Sequence, residues 1–323
     1  MTSSWTLDTL QVVLVIVIAI LLTNYLFLRW TMHYKRVSTV DDTDLLGEGF
    51  QNSTEAGATD GADTVVIGNE LLFDDFYAKI YDQVVDGTAR QDVEVNLTLA
   101  WAKSYRPELP TIQVLDVGCG TGGQVALFKK AGVGKVVGID KSSSMIARGR
   151  AAHPETDMRV GDAEVIGSMA AGEFNLITLY YFTFYYLQER RVALTNFFNW
   201  LQPGGCLVIH VVNREKFDPI LEAASPFVAF SVQKYTKERV THSKVSFDKF
   251  DYEADFSIDG GRAEFREDFS FADGKRRRQV HTLRMPTMSQ IVSEVEASGF
   301  KYNKYIDLTS IGYEYQYLFC FVR

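Results

Sequence analysis

The chain of 323 residues carries 33 basic and 41 acidic side chains, a formal net charge of −8, with 46% hydrophobic and 23% charged residues. That much apolar material excludes a wholly disordered protein, and the charged fraction excludes one made mainly of membrane spans. The five histidines (His33, His153, His210, His242, His281) and three cysteines (Cys119, Cys206, Cys320) show no H-x-x-x-H or C-x-x-C spacing, so no metal site is expected and the cysteines read as free, buried thiols of a reducing compartment.

Across residues 7–30 the chain is almost continuously apolar. About 20 such residues cross a ~30 Å hydrocarbon layer as a helix, so residues 1–36 are expected to hold one transmembrane helix and its basic flank. Trp5 and Trp30 bracket the span, Arg29, Lys35 and Arg36 follow it, and Asp8 is the one charged side chain before it. Positive charge stays on the cytosolic side, which predicts an exterior N-terminus and a cytosolic bulk. A cleaved signal would need a basic start and an A-x-A site, and neither is present.

Residues 37–69 hold seven acidic and no basic side chains among Gly, Ser, Thr and Ala. Such a stretch buries too little apolar surface to fold, and is expected to be a flexible tether with a span of roughly 30 Å. It carries −7 and residues 1–36 carry +2, leaving −3 for residues 70–323. That balance gives no electrostatic footprint for a nucleic acid.

Two helices, over 71–81 and 93–104, are predicted to precede a run in which β-rich segments (112–117, 135–139, 158–160, 174–180, 206–212) alternate with helical ones (123–131, 143–152, 189–201). This is the pattern of a parallel sheet covered on both faces, with Pro203-Gly204-Gly205 stopping the last helix. Residues 247–284 then alternate aromatic and polar side chains, with turns at Asp259-Gly260-Gly261 and Asp273-Gly274, as antiparallel strands do. The basic run Lys275-Arg276-Arg277-Arg278 within it reads as a solvated edge strand, or as a patch facing anionic headgroups. A helix over 288–298 stopped by Gly299, then strands over 302–308 and 313–322, complete the chain.

In an open parallel sheet a ligand sits where the first strand turns into its helix. Here that turn is Asp116-Val117-Gly118-Cys119-Gly120-Thr121-Gly122, whose glycines let the backbone approach a ligand closely. Gly118, Gly120 and Gly123 also satisfy the G-x-G-x-x-G dinucleotide fingerprint, so the loop alone leaves two cofactors open. Asp116 favours a cationic amino group over a pyrophosphate. Asp140, closing the second strand, suits ribose hydroxyls, and Asp162, after the third, suits an adenine amino group.

Taken in order, Leu115-Asp-Val-Gly-Cys-Gly-Thr-Gly122, Gly138-Ile-Asp140, Gly161-Asp-Ala163, Phe174-Asn-Leu-Ile177 and Leu201-Gln-Pro-Gly-Gly205 resemble the class I S-adenosylmethionine-dependent methyltransferases. The resemblance covers about 95 residues and departs from the family at Asn175, where an aspartate is common. It implies a Rossmann-like, doubly wound seven-stranded α/β sheet with an antiparallel β insertion after strand five. Residues 70–215 would be the cofactor half, 216–286 the substrate-side insertion and 287–323 the closing helix and strands. It also implies that Asp116, Gly118, Gly120 and Gly122 surround the methionine part of S-adenosylmethionine, with Asp140 at the ribose and Asp162 and Ala163 at the adenine, and that Cys119, Lys141 and Met145 belong to the same cofactor site. Residues 180–187 and 210–220 are similar to membrane-anchored methyltransferase-domain proteins of large DNA viruses.

In-line methyl transfer is accelerated mainly by alignment of donor and acceptor. The ends of strands four and five would bring Tyr180, Tyr181, Tyr185, Asn213 and Arg214 toward the acceptor, with Tyr180 also against the cofactor. Tyr180 and His210 are the candidate catalytic residues. His210 is read either as a general base near neutral pH or as a hydrogen-bonded core residue. Tyr77 and Tyr81 are read as closing over the cofactor, or else as core. The expected activity is methyl transfer to a small-molecule or lipid-like acceptor beside a membrane. A protein methyltransferase and a cofactor-binding scaffold of a membrane assembly are the alternatives.

Overall fold

A computed structural model describes residues 11–12, 14–16, 18–19, 21–23, 64–85, 88–108, 111–219 and 239–323. The chain divides into two units, residues 1–43 and 44–323. In the first, the described residues are helical and expose large apolar side chains, among them Val15 and Leu21. Among the described residues no helix is long and apolar enough to cross a membrane, and the rest of the span expected over 7–30 lies outside them.

The second unit begins, among the described residues, with strand β1 (Thr64–Ile67), followed by helices α1 (Asp75–Val85) and α2 (Thr88–Tyr105). The alternation then runs β2 (Gln113–Val117), α3 (Gly123–Lys130), β3 (Lys135–Asp140), α4 (Ser143–Ala152), β4 (Asp157–Val160), β5 (Phe174–Leu179), a short α5 (Thr183–Tyr186), α6 (Arg190–Trp200) and β6 (Leu201–Val212). Strands β7 (His242–Ser246), β8 (Phe250–Asp259), β9 (Arg262–Phe271) and β10 (Arg276–Arg284) come next, then α7 (Met288–Ala297), β11 (Lys301–Asp307) and β12 (Gln316–Val322).

Seven strands form one sheet in the order β11-β12-β6-β5-β2-β3-β4. β2 through β6 pair in parallel, while β12 runs antiparallel to both β6 and β11. Every residue of β5 is buried. Leu115, Val117, Ile177 and Leu179 pack on one face and Val114 and Leu176 on the other, which is why these strands are apolar without alternation. Asn175 is buried among them. Its Oδ1 accepts from the Gln113 amide at 2.8 Å and its Nδ2 donates to the Thr111 carbonyl at 3.0 Å, so it latches the chain leading into β2, a role the sequence did not suggest.

The second sheet has the order β1-β10-β9-β8-β7. It alternates inward apolar positions, as at Phe250, Tyr252, Ala254 and Phe256 of β8. The hairpin between β8 and β9 closes through Gly260 and Gly261, both left-handed, with Asp259 opposite Arg262, as a two-residue turn demands.

Several expectations are corrected. The tether was expected to reach residue 69, but Thr64–Ile67 pairs in parallel with Arg276–Gln279, because Val65, Val66 and Ile67 are β-branched residues with apolar surface to bury. Residues 37–63 of the expected tether lie outside the described residues. The basic run is consequently no free edge: Arg277 is 1% exposed, pairs with Asp74 at 2.9 Å and lies over the Phe76 ring. Pro203-Gly204-Gly205 does not end a helix ahead of the strand. β6 already starts at Leu201, and these residues sit in a register shift opposite β5, with Gly204 left-handed. α1 starts four residues later than expected because the Asp74 carboxylate accepts from the Tyr77 amide at 3.0 Å and caps it there.

Candidate active site

Beyond β2 the chain turns through Gly118, Gly120 and Gly122, at φ of 67°, 55° and 83°. Other residues pay about 1–2 kcal/mol to enter that region. The space around the three differs. A Cβ on Gly118 would lie 2.5 Å from Thr183 Cγ2 and one on Gly122 2.3 Å from Met158 Sδ, whereas one on Gly120 would meet Met145 Cε at 3.3 Å and Tyr81 Cε1 at 4.0 Å. Gly118 and Gly122 accommodate the protein's own side chains, and Gly120 alone faces yielding neighbours.

β3 delivers Asp140 beneath this loop. Its Oδ2 accepts from the Gly120 amide and its Oδ1 from the Ser142 amide, each at 2.9 Å. Ser142 in turn caps α4 by accepting from Met145 N. Thr121 donates to Asp82 at 2.6 Å, tying α1 to the loop. Asp162 accepts from the Glu164 amide at 2.8 Å and pairs with the exposed Lys141 at 3.1 Å. The buried Asn196 donates to the carbonyls of Ala163 and Val165 and holds this segment in place. Cys119 is buried, with its sulfur packed toward Gly138.

Asp116 is 1% exposed and accepts from Thr178 Oγ1 at 2.7 Å. Burial, opposed by that hydrogen bond, pushes its carboxyl up to about 7. Glu94, from α2, is fully buried and likewise pushed up to about 7 by burial, against the pull of Arg90 at 3.6 Å. Burial raises Asp140 as well. Glu94 Oε1, Gln316 Oε1 and the Tyr313 hydroxyl are buried without a hydrogen-bond partner. The two His210 nitrogens reach none at full geometry, although Gln316 and the Tyr181 backbone lie beside the ring. Tyr181 sits at the end of β5 in the left-handed region, φ 52°, with its ring stacked on His210 and the Arg90 guanidinium 4.0 Å above it. A non-glycine residue in that region stores of order 1 kcal/mol and is held there by its surroundings.

In front of this cluster opens a cavity of about 110 Å³, walled by Phe73, Tyr77, Tyr81, Arg90, Tyr181, Tyr186, Glu267, His281, Tyr313 and Gln316 among others. Tyr77, Tyr81 and Tyr181 all line this cavity. Five other candidate residues lie away from the cavity wall. Tyr180 turns to the opposite side, its hydroxyl donating to Thr98 at 2.8 Å and its ring stacked on Phe128. Tyr185 is fully buried and accepts from the Val212 amide at 2.8 Å. Asn213 accepts from the Glu215 amide and Arg214 donates to the Met285 carbonyl, so neither belongs to the cavity wall. His210 is sealed, and burial together with Arg90 holds it down at about 3, which removes it as a general base near neutral pH and leaves its core reading.

Residues 114–205 match the family described as a methyltransferase domain. Trans-aconitate 2-methyltransferase of Deinococcus radiodurans is 33% identical over 107 residues, 32% of this chain and 40% of that protein. An uncharacterized protein of Haemophilus influenzae is 28% identical over 112 residues, 44% of its length, so the chain spans less than half of the curated relatives it matches. Among solved structures, SAM-bound CalS10, an amino pentose methyltransferase from Micromonospora echinaspora, has a TM-score of 0.52 at 22% identity, covering 72% of this chain and 91% of that one. DesVI of Streptomyces venezuelae has 0.54 at 21%, covering 76% and 98%. The sugar N-methyltransferase KedS8 from a Streptoalloteichus species has 0.56 at 20%, covering 75% and 92%. These structures share the fold. The family match falls on the strands and loops that carry Asp116, Gly120, Asp140 and Asp162, and residues 114–205 of this chain are a methyltransferase domain.

Proposed function

We propose that the protein transfers a methyl group from S-adenosylmethionine to a small-molecule acceptor held in the aromatic cavity. The observation that carries this reading is the unfinished polar cluster. Two buried carboxyls, Glu94 and Asp116, and the half-buried Asp140 are all raised by burial, Arg90 pulls only on Glu94 among them, and the buried Glu94 Oε1 has no hydrogen-bond partner. Buried polar groups are otherwise paired, so the cluster suits a ligand that brings positive charge and N–H donors. S-adenosylmethionine has both, and its sulfonium supplies the methyl group. Asp140 and the Gly120 cradle would receive the ribose and the chain beside it, and Arg90 would face the carboxylate.

Calorimetric titration tests this. S-adenosylmethionine is expected to bind the wild type, and Asp140→Ala to weaken it about 10- to 100-fold, as loss of charge-assisted hydrogen bonds worth about 1.5–3 kcal/mol implies. No binding by the wild type would favour a scaffold. The tether belongs to the same reading: the apolar residues 7–30 and the acidic stretch behind them support a cytosolic domain held beside a bilayer. A C-terminus protected from protease in sealed vesicles would refute that orientation. Labelled methyl recovered only in lipid or only in protein would replace the small-molecule acceptor.

A further inference from the structure

The far wall of the cavity comes from the antiparallel sheet, and it holds a second polar group that the cofactor does not account for. Glu267 on β9 is fully buried. Its Oε1 accepts from the hydroxyls of Tyr252 at 2.7 Å and Tyr77 at 3.1 Å, and its Oε2 from Gln279 at 3.2 Å. His281 on β10 places Nε2 at 2.6 Å from Oε2 and Nδ1 at 2.6 Å from the Tyr186 hydroxyl. A carboxylate has about four lone-pair sites, and four donors fill them here. Glu267 therefore has no site left for a substrate proton. What it does is fix the ring: with Nε2–H held by Glu267, the Nδ1 lone pair faces the hydroxyl of Tyr186, a residue of the cavity wall.

We propose that Tyr186, His281 and Glu267 form a proton relay at the acceptor end of the cavity, and that the acceptor is a small molecule whose nucleophile must shed a proton, an amine or a hydroxyl rather than a carboxylate. The inference rests on the methyl-transfer reading. The acceptor's N–H or O–H proton passes to Tyr186 Oη as the Tyr186 proton passes to His281 Nδ1. The freed lone pair forms the bond to the methyl carbon while the methyl–sulfonium bond breaks, leaving a neutral thioether and an imidazolium facing the Glu267 carboxylate. Tyr186 is the catalytic residue of the set, and His281 and Glu267 act through it as positioning residues. Burial and the nearby Glu267 charge raise the Tyr186 phenol well above its ordinary range, so it serves as a neutral shuttle. The groups facing it are Tyr77 and Tyr81 from α1, Tyr181 after β5, Tyr252 from β8 and Glu267 from β9.

The full-length chain, given methyl-labelled S-adenosylmethionine and a panel of aminosugars, aliphatic amines, polyols and tricarboxylates, is expected to place label on nitrogen or oxygen–hydrogen acceptors. Tyr186→Phe should keep the wild-type affinity for S-adenosylmethionine and lose about 10²-fold in kcat/KM at pH 7, as loss of general-base assistance does. The deficit should shrink as pH rises toward the acceptor's own pKa, and Glu267→Gln should alter the same pH profile. Label confined to carboxylates, or Tyr186→Phe with the wild-type pH profile, overturns the relay while leaving the methyltransferase reading intact. Absent binding of S-adenosylmethionine sinks that reading first. Nitrogen NMR of His281 then decides the relay without turnover: protonation at Nε2 is expected, and protonation at Nδ1 refutes it.

Discussion

Glu94 and Glu267 are both sealed from solvent, yet they live in opposite surroundings. Glu267 sits at the centre of a finished network in which every lone pair has a donor. Glu94 has one oxygen without a hydrogen-bond partner, a long contact to Gln124 at 3.5 Å and a guanidinium at 3.6 Å. A finished network fixes geometry and an unfinished one keeps room for a ligand, because an unmet buried acceptor costs about 1–3 kcal/mol until something meets it. The domain thus holds a fully paired polar group on the antiparallel sheet and an incompletely paired one where α2 meets the parallel sheet.

The largest effect should come from breaking the rigid side. Glu267→Ala would strand four buried donors at once and is expected to cost about 3–5 kcal/mol in denaturant unfolding; a loss below about 1 kcal/mol would mean the network is not formed. The glycine loop sharpens the contrast at the next level. Gly118→Ala adds a clash with Thr183 to left-handed strain, about 2–4 kcal/mol together. Gly120→Ala should cost only about 1–2 kcal/mol and act chiefly on ligand affinity. Equal losses of stability would erase the distinction between the two positions.

The receptive side should also show a pH dependence. Glu94 and Asp116 are raised by burial to about 7 in the folded protein, from the 4.5 and 3.8 of exposed carboxyls. Their contribution to stability is full below about pH 4 and is lost as pH rises through about 7. Without ligand, the melting temperature should accordingly lose their share between pH 5 and pH 8. A cationic ligand favours the ionised carboxyls, so its affinity should rise over the same interval with release of protons, which calorimetry in buffers of different ionisation enthalpy would detect. Affinity independent of pH would separate these carboxyls from the ligand.

Much of the parallel sheet was legible in the sequence because its strands and loops follow local rules: apolar runs, glycines and an acid at or just after the ends of the first three strands. Side-chain direction was not. Tyr180 and Tyr181 are adjacent, and the left-handed backbone at Tyr181 sends one ring to the cavity and leaves the other against Phe128, a choice no periodicity encodes. Arg90, Glu94, Tyr186, Glu267 and His281 were missed because each matters through a partner distant in sequence. One signal for the last two was present. In β9 the inward parity runs Ala263, Phe265, Glu267, Phe269 and Phe271, and in β10 it runs Arg277, Gln279, His281 and Leu283. Polar residues on the core-facing parity of an alternating strand mark a buried network. The edge strand β1 was hidden by the acidic composition around it.

Asn175 bears on how such a domain should be engineered. Replacing a residue that departs from its family by the commoner one is a usual route to stability, and at this position it would install aspartate. The carboxylate could still accept from Gln113 N but would present only acceptors to the Thr111 carbonyl, setting two oxygens against each other at the threshold of the central strand. Family averaging would here weaken the protein it was meant to strengthen, because the amide is matched to two particular backbone atoms and not to an average.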